Sequence, residues 1–140
     1  MERQEDLGAL FARITRRLIE AEQPLLAAHE LSMWGYIVLS HLAKGPTGTQ
    51  LELAQAIRYD KTRLIALLDE LERDGLITRD PDPTDRRART VRMTAAGETR
   101  QTAVQADIRT MEAALLGQLT AAERRSLLDI LPRLARASSA

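Results

Sequence analysis

The chain has 140 residues, 44% of them apolar, and a formal net charge of zero, which fits one domain able to bury an ordinary core. It contains no cysteine, so thiolate nucleophiles, disulfides and thiolate metal sites are excluded. A charged N-terminus and the lack of any apolar run near the ~18–20 residues of a bilayer span predict a soluble cytoplasmic protein with no membrane partner, and without a global basic excess any affinity for nucleic acid must be local.

From Leu7 the apolar residues Leu10, Phe11, Ile14 and Leu18 follow at helical spacing, and Pro24 is expected to bend or divide this first helix. Ser32 is a natural N-cap for a second helix to about Ala43, ended by Lys44-Gly45-Pro46. Thr49-Gln50-Leu51-Glu52 reads as a capping box opening a short third helix to about Ile57. Asp60 caps a fourth, from Lys61 to about Asp74, with Leu64, Leu67, Leu68 and Leu71 on one stripe and Gly75 as its terminator. Two alternating segments follow, Leu76-Ile77-Thr78-Arg79 and Arg89-Thr90-Val91-Arg92-Met93, around a turn over Asp80 to Asp85, which predicts a β-hairpin with an arginine-bearing tip. Thr94 caps a long helix to about Leu119. Thr120-Ala121-Ala122-Glu123, a second capping box, opens a last helix that Pro132 should kink or shorten, and residues 137–140 should fray.

Two helices joined by a tight turn and followed by a hairpin constitute a winged helix-turn-helix, a mainly α fold with a small β-hairpin wing. In that arrangement the second helix of the pair enters the major groove of duplex DNA. Turning the leucine stripe inward leaves Thr62, Ile65, Ala66, Asp69 and Arg73 outward at 100° per residue. Because such a helix shows mainly its first turns to the bases, Lys61, Thr62, Arg63 and Ala66 are the expected contacts, with Arg63 suited to a bidentate bond to guanine. Charge is segregated along this segment: Arg58, Lys61 and Arg63 stand at its start, while Asp69, Glu70, Glu72 and Asp74 crowd its end. At the hairpin, Arg86, Arg87, Arg89 and Arg92 suit phosphate or a narrow minor groove. On hairpin composition alone, a solvated turn in which Asp85 pairs with Arg87 or Arg89 is the competing reading.

The segments Asp60-Lys61-Thr62-Arg63-Leu64, Leu71-Glu72-Arg73-Asp74-Gly75-Leu76-Ile77, Asp82-Pro83-Thr84-Asp85-Arg86-Arg87-Ala88 and Met93-Thr94-Ala95-Ala96-Gly97, in this order and spacing, resemble the MarR family (multiple antibiotic resistance regulators) over about residues 31–100. The resemblance implies a two-fold dimer built from the first and last helices, a palindromic operator, and often a small aromatic or phenolic ligand held between the lobes. It further implies that Asp85 orients the wing while Arg87, with Arg86, reaches the minor groove. One domain over 1–140 follows, with a DNA-binding lobe at about 31–97 and dimerisation helices at about 5–28 and 98–136. The sequence departs from the family in three places. Arg58 replaces the glycine that usually ends the third helix, which predicts a differently shaped turn. Ile65 and Ala66 stand where many relatives have Thr and Arg, which favours thymine-methyl contact over hydrogen bonding. Thr47 to Gln50 is one residue longer than usual.

Trp34 is open to two readings, as an indole packed in the dimer core or as the lining of a ligand pocket. His29 and His41 are read as packing and surface histidines, since neither cysteine nor a carboxylate at ligand spacing accompanies them. No metal and no cofactor is implied. The chain offers no Gly-rich phosphate loop and no nucleophile, histidine and acid in an attractive order, so an enzyme is not expected. A winged helix serving only protein contacts is the surviving alternative, and the gathering of arginines on one hairpin beside a basic helix start argues against it.

Overall fold

The computed structural model describes residues 3–46 and 48–137. It consists of α1 (Leu7–Ala28), α2 (Met33–Ala43), α3 (Gln50–Ile57), α4 (Lys61–Arg73), β1 (Ile77–Pro81), β2 (Arg89–Met93), α5 (Ala95–Leu116) and α6 (Ala121–Arg136). Side-chain caps open five of these helices: Ser32, Thr49, Asp60, Thr94 and Thr120 each accept a backbone N–H three residues on. Thr120 and Glu123 form the complete reciprocal box. Thr49 and Glu52 form only half of theirs. The Glu52 carboxylate accepts a hydrogen bond from the Thr49 hydroxyl at 3.2 Å, while the backbone at Thr49 is drawn into a bridge with Thr90 of the hairpin.

Three helix ends share one device. The chain turns left-handed at Glu30, Arg58 and Gly75, and the next residue, Leu31, Tyr59 or Leu76, donates its N–H back to Leu26, Ala54 or Leu71, the bond pattern of a Schellman cap. The altered turn expected from Arg58 is therefore not found: Arg58 adopts φ 55° and ψ 51°, the geometry a glycine would take, at the steric expense that a Cβ brings there. The closing bond from Tyr59 to Ala54 and the stacking of the Tyr59 ring on Trp34 hold that conformation.

The expected division of α1 at Pro24 is also corrected, because the helix runs on to Ala28. Proline withholds only the hydrogen bond to Glu20, and Leu26 beyond it is sealed in the core at 2% exposure. The last helix is likewise not shortened at Pro132 but continues to Arg136, and α5 ends at Leu116 rather than near Leu119, with Gly117 as its C-cap. Asp80 and Pro81, expected in the turn, belong to β1. Of the fraying expected at 137–140, residues 138–140 lie outside the described residues, as does Thr47 of the segment Thr47 to Gln50 that is read as one residue longer.

The core is formed where α2, α3, α4, the hairpin and α5 meet, from Val38, Leu39, Leu53, Leu64, Leu68, Leu76, Ile77 and Val104, all at most 1% exposed. Gly97 is required by this packing: a Cβ there would fall onto the Leu76 carbonyl oxygen and against Met93, so the first turn of α5 sits directly on the entry to β1. The two ends of the chain behave differently. No residue of α6 is buried, and Leu7, Phe11, Ile14, Leu128, Ile130 and Leu134 are each more than 40% exposed. Among the described residues, no helix is long and apolar enough to cross a membrane.

Candidate nucleic-acid interface

The leucine stripe fixes how α4 is turned. Leu64 and Leu68 are fully buried and Leu67 and Leu71 nearly so, which leaves Lys61, Thr62, Arg63, Ala66, Asp69 and Arg73 exposed and Ile65 half-buried, as 100° per residue dictates. Asp60 accepts the backbone N–H of Arg63 at 2.9 Å, so the acid at the helix start is spent on capping. The positive end of the helix dipole and the side chains of Lys61, Thr62 and Arg63 all open outward together, an arrangement suited to an anion.

The hairpin carries the second group. β1 and β2 pair antiparallel with Ile77 opposite Met93, Arg79 opposite Val91 and Pro81 opposite Arg89. The loop beyond is built by its aspartates. Asp82 accepts both the N–H and the hydroxyl of Thr84, at 2.8 and 2.9 Å, and these bonds hold its carboxyl below the usual aspartate range. Asp85 accepts the backbone N–H of Arg87 at 3.0 Å, and the loop closes with Asp82 donating to the Ala88 carbonyl. Asp85 thus holds the main chain of the tip rather than pairing with a guanidinium, and Arg86 and Arg87 are exposed. Arg89 is drawn back, donating to the Arg79 carbonyl at 3.3 Å, and so stands apart from the tip pair.

Arg79, which sequence reasoning passed over as one strand residue among others, links the two groups. Its guanidinium donates to Asp69 at 2.6 Å and Glu72 at 2.9 Å on α4, and to Gln50 on α3 at 3.1 Å. These bonds hold the Glu72 carboxyl below its ordinary value and the guanidinium above its own. The usable signal was alternation, since Ile77 and Arg79 share the inward face of β1.

Trp34 is 36% exposed and stacks on Tyr59 with ring centroids 4.2 Å apart, so the start of α2 touches the turn between α3 and α4. A cavity of about 590 Å³ lies between α1 and α5, lined in part by Leu18, Ala21, Met111 and Leu115. A second, of about 820 Å³, lies between the end of α2, the length of the hairpin and the start of α5. Trp34 lines neither. His29 is spent on Asp107 of α5 at 2.7 Å, and no group of three or more His, Asp or Glu placed to hold a metal occurs among the described residues.

Comparison with known proteins gives a consistent picture. Residues 29–88 match the MarR family model. A putative transcriptional regulatory protein for the hcr operon of Thauera aromatica is 33% identical over 104 residues, 74% of this chain, and the match spans 63% of that relative's length. Among solved structures, the transcriptional repressor CouR bound to a 23-mer DNA duplex is 28% identical, with a TM-score of 0.83 over 97% of this chain and 100% of that one. A MarR crystal structure is 27% identical, with a TM-score of 0.86 over 96% of this chain and 92% of that one.

Proposed function

Because residues 29–88 match the MarR family model and the fold follows that of the repressor CouR, we propose that this chain is a MarR-family cytoplasmic transcription regulator, a repressor that binds duplex DNA as a homodimer on a palindromic operator. One observation carries the reading: a capped helix whose exposed first turn bears Lys61, Thr62 and Arg63 stands on the same lobe as a wing whose exposed tip bears Arg86 and Arg87. In this reading α4 occupies the major groove, with Arg63 on a base and Ala66 facing thymine methyls. Asp85 sets the wing loop so that Arg87 and Arg86 reach the neighbouring minor groove, and Arg89 braces the hairpin. The likeness to CouR, a transcriptional repressor bound to a DNA duplex, supports both the partner and the sign of regulation.

Residues 31–97 serve as the DNA-binding lobe, and the helices at 5–28 and 98–136 join two copies. The apolar residues exposed on α1 and α6 support that division, since a lone subunit leaves them wet. A small aromatic or phenolic ligand would act where Trp34 meets Tyr59, because displacing that stack moves the turn that presents α4. Selection of duplexes from a random pool by the purified protein tests the core of this reading. The expected product is a palindrome with half-sites about one helical turn, ~10 bp, apart, and enrichment of no duplex would overturn it. Titration with aromatic carboxylates and phenols should quench Trp34 and release the duplex; no change in either removes the ligand.

A further inference from the structure

The geometry points to Arg79 as the residue that positions the wing against α4, acting on DNA through Arg87; the inference rests on the DNA-binding reading above. Arg79 lies on the inward face of β1, opposite Val91, which is 5% exposed. Its own side chain is 7% exposed. Alternation assigns that site to an apolar residue, and a guanidinium survives there only when its charge is compensated.

Its charge and both terminal nitrogens are met on two other elements at once, with Nε left without an acceptor. Gln50 of α3 and Asp69 and Glu72 of α4 surround the fork, and the second oxygen of Glu72 accepts the Arg79 backbone N–H at 3.2 Å. Among the described residues, the remaining polar ties of the two strands to the lobe run from Val91 to Gly48 and from Thr90 to Thr49, while the bond of Leu76 to Leu71 of α4 lies at the foot of the hairpin, before β1. A two-stranded hairpin has little stiffness of its own, and its buried apolar residues are Ile77 at its base and Val91 opposite Arg79 itself. Apolar packing without directional bonds permits rocking; a planar fork with donors in fixed directions does not. The tip that bears Arg87 is thereby held at one distance from the helix that bears Arg63, so both can engage one duplex together.

The test is a set of variants, Arg79→Met, Arg87→Ala and their combination, titrated against the selected duplex over a salt series. Arg79→Met should weaken binding roughly tenfold and flatten the salt dependence by as much as Arg87→Ala does, because the wing cations no longer displace counterions. Adding Arg87→Ala to Arg79→Met should then cost almost nothing, while Arg63→Ala in the same background still relaxes base discrimination. Arg79→Lys, which keeps the charge without the fork, should fall between. If Arg87→Ala costs the same factor with and without Arg79, the positioning role is overturned although DNA binding stands. If Arg87→Ala costs nothing even beside Arg79, the wing contact itself fails and this role with it. Thermal unfolding checks each variant. Should Arg79→Met not fold, Glu72→Ala, which removes an acceptor of both the fork and the strand N–H, enters the same comparison with the same outcomes deciding.

Discussion

Replacing Arg87 and Arg63 separately should have different consequences, and the structure says why each substitution is clean. Asp85 holds the backbone N–H of Arg87, and Asp60 holds that of Arg63, so truncating either side chain to alanine leaves its loop or cap intact. A dimer of Arg87→Ala loses two exposed cations. Each phosphate contact contributes close to one counterion, so the slope of log K against log salt should flatten by up to about two, on every duplex alike. Arg63→Ala should instead cost roughly 1–3 kcal/mol per half-site on the selected duplex, and relax discrimination at one symmetric base position. Fluorescence anisotropy titrations against the selected duplex and a scrambled one, over a salt series, separate the two. An unchanged slope for Arg87→Ala would remove the wing from the mechanism. Equal losses on both duplexes for Arg63→Ala would make that residue a backbone contact and leave base selection to Lys61, Thr62 and DNA shape.

Arg58→Gly should stabilise the fold by about 1 kcal/mol, by relieving a left-handed residue that carries a Cβ; a lower denaturation midpoint would mean that the turn is not strained. Gly97→Ala should destabilise by roughly 1–3 kcal/mol, against the usual gain from alanine in a helix, because its Cβ meets the Leu76 carbonyl, and a rise in melting temperature would refute that contact. Burial first and Glu112 second raise the Glu22 carboxyl above its ordinary value. A raised folded-state value means that this group favours folding when protonated and that the benefit is lost as pH rises. Glu22→Gln should therefore gain a few tenths of a kcal/mol, about 0.5 at most, at neutral pH and nothing in acid. A pH-independent difference in chemical denaturation would exclude this origin.

Where local chemistry alone decides, the sequence was legible. Ser32, Asp60, Thr94 and Thr120 cap the helices that their hydroxyls and carboxylates announce, and Gly75 ends α4 in the left-handed turn it suits. The leucine stripe of α4 turned the same faces in and out as the spacing predicts. Legibility fails where tertiary packing outvotes local preference. Pro24 sits inside a continuous helix because Leu26 is buried beyond it, and Arg58 takes a glycine conformation because Tyr59 is stacked and bonded next to it. The candidate interface was legible in its exposed arginines, which need only a face and a charge, but Arg79 was not, because its role depends on Asp69 and Glu72 arriving from another element.

Sedimentation equilibrium of the chain mixed with its selected duplex reads whether two copies engage one DNA together. A complex holding two 15.6 kDa chains per duplex, formed without a populated one-chain species, is the expected result. One chain per duplex at saturation, from a protein that is monomeric on its own, would overturn the paired α4 helices and wings and the palindrome that follows from them.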